Sequence, residues 1–390
     1  MNTNAKMQNR YIILIAGMLI QFCAGIIYMW SVFKAPVTAH LSWDSASASL
    51  TSSIMLAMFV AGIIIGGRAQ DKIGPRKVVL IGSILISIGM ISTSFVTAEA
   101  PWMIYITYSI IGGLGVGSVY TSSIATVQKW FPDKRGFATG MIVDAFGFSL
   151  VVFAPLANMM LSSLGVPKTF LIFGIAFLIV CVLSSTRIVP PAPTGAAGSA
   201  AVEKKQYTLS EALRTKQFYL ILFWMMFVLP AYFILNPIFI SLGAERGLSE
   251  ALAVAGVMIT GIGSAAGRLI LTWLSDKIGR KPALALVTII TLAASLVMIF
   301  ARGPLFLVCI ALISFAFGGS AGVSSATTAD SFGTKNVGVI FGFIMFGFGI
   351  SALVFPTIAS NITTTASFIL AAATCAVSLV LVIFMKKKMD

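Results

Sequence analysis

Two ionisable side chains stand inside long apolar stretches of this chain. Arg268 lies between Gly263-Ser264-Ala265-Ala266-Gly267 and Leu269-Ile270-Leu271, and Asp144 lies in Gly140-Met141-Ile142-Val143-Asp144-Ala145-Phe146-Gly147. A guanidinium in hydrocarbon costs at least ~2.5–3.5 kcal/mol on insertion scales, and such residues usually face a cavity and bind something. Its planar fork matches a carboxylate. The competing reading is snorkelling: with the helix ending near Trp273, the Cα of Arg268 is only ~7 Å from the boundary at ~1.5 Å per residue, within reach of water. Asp144 can exchange a proton, or can serve structure alone as a helix contact or ion-pair partner. Tyr28 and Tyr120 offer hydroxyl donors to a small anion, and Phe33, Phe146 and Phe317 offer walls. The plainer alternative for these rings is helix packing or, for Tyr28 and Trp30, an interfacial aromatic belt. Asn236, between Pro230 and Pro237, marks a kink that serves gating as readily as binding. No nucleophile, metal cluster or phosphate loop is present, so the chain reads as neither an enzyme nor a cofactor protein.

The elements that carry these residues must lie in lipid. Of 390 residues, 58% are apolar and 10% charged, and the mean hydropathy is +1.00. No water-soluble domain of this length normally shows that balance. Stretches of roughly 20 residues with almost no charge recur, each long enough to cross ~30 Å of hydrocarbon. They predict twelve spans, at 11–31, 45–66, 78–97, 101–128, 137–162, 168–188, 216–242, 250–273, 282–301, 304–328, 337–360 and 364–385. The first is too long for a signal peptide and is followed by no cleavage site. The formal charge of +14 follows topology and not nucleic acid. Of 26 basic residues, Lys34, Lys168, Arg246 and Arg302 fall on one side and Arg268 within a span, which leaves 21 on the other. The positive-inside bias places both termini in the cytoplasm of a bacterial inner-membrane protein. Four cysteines, all within spans, form no disulfide framework.

Pro190-Pro191-Ala192-Pro193-Thr194-Gly195, small residues and then Glu203-Lys204-Lys205 make a linker at 189–215 between two six-helix bundles, 1–188 and 216–390. On either side the same loop recurs: Asp71-Lys72-Ile73-Gly74-Pro75-Arg76-Lys77, and Asp276-Lys277-Ile278-Gly279-Arg280-Lys281, 205 residues apart. A weaker echo relates Lys129-Trp130-Phe131-Pro132-Asp133-Lys134-Arg135-Gly136 to Ser331-Phe332-Gly333-Thr334-Lys335. The fold class is therefore an all-α membrane protein with twelve spans in two pseudo-symmetric halves. Parallel repeats of this kind leave a cavity at their interface that rocking exposes to each side in turn. Asp71 or Asp276 can accept from free N–H groups at a helix N-terminus while Gly74 or Gly279 permits a tight turn, which with Arg76 and Arg280 would latch one side shut. A lone charged turn would be the simpler reading, and two copies at matched topology count against it. The run Gly112-Gly113-Leu114-Gly115-Val116-Gly117 has no βαβ context and reads as close helix packing.

By these loops the chain resembles the major facilitator superfamily over nearly all of its length. Within that class it is similar to the oxalate/formate antiporter family and related monocarboxylate transporters. The resemblance rests on Tyr28-Met29-Trp30-Ser31 with Pro36, Gly113 to Gly117 with Tyr120, the loop Lys129 to Gly136, and Arg268 eight residues before Asp276. It implies that Arg268 binds the substrate carboxylate and that spans five and eight meet, so that Asp144 and Arg268 would form an ion pair in the empty site. Substrate would then displace Asp144, which could take up a proton. The sequence departs from that family at Ile344, which stands where the antiporter's second cation, a lysine, is expected. One fixed cation neutralises one carboxylate and would leave half of a dicarboxylate unpaired in a low-dielectric cavity.

The expected function is transport of a small monocarboxylate such as lactate, pyruvate or formate, coupled to protons, by a monomer in the lipid bilayer without nucleic acid. The alternatives are oxalate/formate-type exchange, efflux of a bulky amphiphile, and a non-transporting anion sensor.

Overall fold

The computed structural model describes residues 9–191, 206–235, 238, 242–243, 245–359 and 361–386. Asn236 and most of the expected linker, 192–205, lie outside them. In hydrocarbon a backbone must satisfy its own hydrogen bonds, and helices do so within one segment. Ten helices among the described residues are long and apolar enough to cross a membrane. One of these, Arg135–Ser185, runs 51 residues and is broken at Gly165 (φ 79°, ψ 175°), so it holds spans five and six. Glu250–Ile278, 29 residues long, is span eight and completes twelve.

Span one differs from expectation. It continues past residue 31 to Leu41, tightened to a 3₁₀ stretch over Gly25–Met29. At the start of that stretch a Cβ at Gly25 would fall onto the backbone and side chain of span five at Phe146 and Ser149. The segment before span seven also carries structure. Thr208 and Glu211 form a reciprocal capping box that starts a short helix, Leu209–Leu213.

By their contacts the residues fall into two units. One comprises Met1–Pro132, Ala145–Lys204 and Thr334–Gly342, and the other Asp133–Asp144, Lys205–Gly333 and Phe343–Asp390, each within its described residues. The opening turns of spans five and eleven thus pack with the opposite half of the sequence.

In the first unit, Gly113 and Gly117 of span four (Tyr105–Trp130) lie against the backbone of span two (Leu50–Ile73) at Met55 and Phe59, and Gly115 against Gly82 of span three (Pro75–Thr93). Phe33 is fully buried among Tyr108, Phe170 and Phe173, so it fills the core and lines no cavity. Trp30 is also buried, its indole N–H donating to the Ala48 carbonyl at 2.8 Å, which removes it from any interfacial belt.

The second unit repeats the device. Gly267 of span eight lies against the Phe315 carbonyl of span ten (Pro304–Phe332), as Gly62 of span two lies against Leu114 of span four. Gly62 and Gly267 are 205 residues apart, the offset of Asp71 and Asp276. Close approach at small residues replaces the hydrophobic drive that lipid cannot supply.

Gly267→Ala should therefore lower the thermal midpoint in detergent, with an overpacking cost of about 1–3 kcal/mol. Gly261→Ala, six residues earlier in the same helix where nothing lies within 4 Å, should melt at or above the parent. Equal melting of both variants would contradict the packing assignment.

Candidate functional site

The opening of span five brings its residues onto span eight within the second unit. Asp276 accepts the backbone N–H groups of Gly136 at 2.8 Å and Phe137 at 2.9 Å, two of the free donors at that helix start. The positive end of the helix dipole favours the carboxylate there. Arg280, one turn after Asp276, reaches it at 2.8 Å and reaches Asp330 of span ten at 2.7 Å. Arg135 closes on the other oxygen of Asp330 at 2.5 Å. Four charged side chains and a helix terminus therefore form one continuous cluster, turned by Gly279 at φ 92°. The pairing of Arg135 with Asp330 had no place in the sequence reading, because nothing in a single sequence pairs residues 195 positions apart.

The other loop copy is built differently. Gly74 turns with φ 85°, but Asp71 accepts no hydrogen bond among the described residues and instead lies in the field of Lys129 and Lys335. Pro75 occupies the position that Arg280 holds in the second copy, so the partner one turn on is missing. Arg76 is exposed in the first turn of span three.

From the cluster a polar track runs inward. Gly136 lies against Thr272 and Asp276; one turn on, a Cβ at Gly140 would meet the Arg268 carbonyl at 2.8 Å. Asp144 follows one turn further on the same face. Arg268 is its electrostatic partner, yet no ion pair within 4.0 Å joins them. The empty-site ion pair expected from sequence is thus absent from this structure as a direct contact. The helices run in opposite directions here, so advance along one matches retreat along the other.

Arg268 is buried, at 9% exposure, which sets the snorkelling reading aside. Its Nε, the Asp144 Oδ1, the Ser264 Oγ and the Thr272 Oγ1 are all buried without a hydrogen-bond partner among the described residues. Ser264 and Thr272 flank Arg268 one turn away on each side. Sequence reasoning missed them because small hydroxyl residues serve helix packing equally well. Ile344 is fully buried.

The expected aromatic residues fall into two groups, one in each unit. In the first unit Tyr28, Phe59, Tyr120 and Phe146 form edge-to-face contacts with centroids 5.1–5.3 Å apart. Tyr28 is exposed at 39%, whereas Tyr120 and Phe146 are buried. Beside them, buried Gln21 donates to the Tyr120 carbonyl and Ser123 hydroxyl, both at 3.1 Å, and its Oε1 has no partner. In the second unit Phe317 stacks on Tyr232 at 3.6 Å and meets Phe233 and Phe348.

The family model described as Major Facilitator Superfamily matches residues 13–356 and 231–389. The chain belongs to the major facilitator superfamily. It is a multi-pass membrane transporter and not an enzyme. It is 28% identical over 395 residues to the oxalate:formate antiporter of Oxalobacter formigenes, covering 98% of this chain and 92% of that one. The MFS-type transporter YhjX of Escherichia coli is 26% identical over 89% of this chain and 86% of its own. Monocarboxylate transporter 2 of Rattus norvegicus is 32% identical over a shorter stretch, 47% of this chain and 37% of that one. In fold, the chain matches the superfamily transporter FucP in its outward conformation, with a TM-score of 0.76 at 16% identity over 97% of this chain and 100% of that one.

Asp330 answers two guanidinium groups, so Asp330→Asn takes the carboxylate from Arg135 and leaves Arg280 with Asp276. The variant should lose about 1–3 kcal/mol of stability, read as a lower unfolding midpoint, with partial recovery in Asp330→Glu. An unchanged midpoint in Asp330→Asn would remove the cluster from the contacts that hold the second unit.

Proposed function

We propose that this transporter carries a small organic monocarboxylate by alternating access, with Arg268 as the anchor for the carboxylate and Asp144 as the residue that takes up a proton. The observation that carries this reading is the buried, unpartnered Arg268 Nε beside the unpartnered Asp144 Oδ1. A desolvated guanidinium with spare donors is matched by an anion with two acceptor oxygens. The hydroxyls of Ser264 and Thr272 supply further donors next to it. A single fixed cation, with Ile344 in span eleven, favours one carboxylate over two. Relatives named for oxalate, formate and monocarboxylates agree with a small anionic substrate. Tyr28, Tyr120, Phe146 and Phe317 supply the walls. Asp276, Gly279 and Arg280 serve the gate, and Asp71, Gly74 and Arg76 the turn of the first loop copy.

In this reading the halves 1–188 and 216–390 rock about the linker 189–215, both termini lie in the cytoplasm, and the protein works as a monomer in a bacterial inner membrane. Closure is held by the cluster at Asp276, since its hydrogen bonds consume the N–H groups that start span five. Exchange of one carboxylate for another is the second reading, favoured by the near full-length similarity to an antiporter.

Proteoliposomes loaded with buffer and offered radiolabelled lactate, pyruvate or formate test the anchor. Arg268→Ala should cut uptake at least thirtyfold, as expected for losing ~2 kcal/mol or more from a buried charged contact. Arg268→Lys, which keeps the charge without the fork, should fall between. Normal uptake by Arg268→Ala would end the assignment.

Asp144→Asn separates symport from exchange. Under an imposed inward proton gradient the variant should lose gradient-driven accumulation while retaining substrate counterflow. Full dependence on the gradient would exclude Asp144 from coupling.

A further inference from the structure

A cavity of about 700 Å³ opens in the second unit where span seven begins and span twelve ends. Lys216, the first residue of span seven, and Lys386, just past span twelve, both line it and are both exposed. Its remaining wall is largely apolar: Tyr219, Leu220, Phe223 and Phe384. Phe384 is 69% exposed, so the apolar wall opens sideways and not into the protein. Among the described residues no acidic side chain lines the cavity.

The two lysines are held in register by the backbone. The Lys386 N–H donates to the Gln217 Oε1 at 3.1 Å, which ties the end of span twelve to the first turn of span seven. Lys281 donates its Nζ to the Ile383 carbonyl at 2.7 Å, bringing a third cation to the same helix end. The cations thus stand where the spans leave hydrocarbon, and the apolar wall extends from them along the spans.

We propose that this cavity is a binding site for an anionic phospholipid, with the phosphate between Lys216 and Lys386 and an acyl chain along Tyr219, Phe223 and Phe384. A water-soluble anion would pair with the lysines but leave the apolar wall unused. A zwitterionic lipid would use the wall but bring its own cation toward the lysines. Only an anionic lipid matches both parts, and the volume lies within the roughly 300–1,000 Å³ typical of small-molecule sites. The site is independent of the carboxylate reading above, since it shares no residue with it.

The test uses the full chain purified in detergent, titrated with dioleoyl phosphatidylglycerol or dioleoyl phosphatidylcholine and read by native mass spectrometry. One phosphatidylglycerol should be retained at least tenfold more tightly than phosphatidylcholine, and excess inorganic phosphate should not displace it. Lys216→Gln with Lys386→Gln should abolish the preference. Lys72→Gln with Lys77→Gln, which removes the same charge from exposed positions in the other unit, should leave it intact. Four results would overturn the proposal: equal retention of the two lipids, survival of the preference in the first double variant, its equal loss in the second, or displacement by phosphate. Dimerisation through this face without lipid retention, lost in the first double variant, would assign the cavity to a second copy of the chain instead.

Discussion

Inside a membrane, apolar surfaces gain little by leaving lipid for one another, so helices hold by how closely their backbones approach. In this chain several close approaches are made at glycine. Gly117 sits on the Phe59 carbonyl, Gly318 on that of Ser264, and Gly136 on that of Thr272. The last of these contacts does more than hold two helices. Because a side chain at Gly136 or Gly140 would collide with span eight, the opening turns of span five can lie directly along Arg268, Thr272 and Asp276. Everything chemical in the second unit follows from that seam: the Asp276 carboxylate reaches two free backbone donors, and Asp144 arrives alongside Arg268.

The internal repeat shows which features are architecture and which are specialised. Gly62 and Gly267 occupy the same crossing in the two units, each against a carbonyl of the fourth helix of its half. The residue that follows is Ile63 in one half and Arg268 in the other. Both are buried, so the fold provides the position and only one copy has been given a charge. The loops diverge in the same direction. Arg280 has Pro75 as its counterpart, and an ion-pair cluster joins Asp276, Arg280, Asp330 and Arg135 around the second copy. The buried charge and the ion-pair cluster at Asp276 thus belong to the second copy of the repeat.

Much of this was legible in the sequence, for identifiable reasons. Span existence follows from uncharged length, and the loop copies follow from spacing, so neither needs tertiary information. Arg268 and Asp144 stand out because a charge in hydrocarbon has few innocent explanations. The fates of Phe33 and Trp30 were not legible, because an aromatic ring suits a cavity wall, a membrane interface and a core equally until its neighbours are known. Ser264, Thr272 and Gln21 were hidden for the opposite reason: small polar residues in a span are ordinary packing material, and only a buried atom without a partner marks them. Arg135 and Asp330 lie in separate loops and spans, and their pairing depends on a helix contact that composition cannot specify. Even the Thr208–Glu211 capping box was readable, but its setting in a polar linker masked it.

The arrangement around Arg268 also constrains how the site can work. A fully formed ion pair between Asp144 and Arg268 would satisfy both groups, and an incoming carboxylate would have to displace a desolvated partner of the same kind. The structure instead leaves the two without a direct ion pair, with one polar atom of each unpartnered. Each unpaired buried polar atom costs of the order of 1–3 kcal/mol, more when charged. On the proposed reading that cost would be relieved differently on the two sides: an anion would satisfy the guanidinium, whereas a proton would relieve the carboxylate once an anion drew the guanidinium away. Binding of either would then favour binding of the other, which is the thermodynamic requirement for the coupling proposed above. A site with a second cation in place of Ile344 would hold its anion without that help and would gain nothing from the proton.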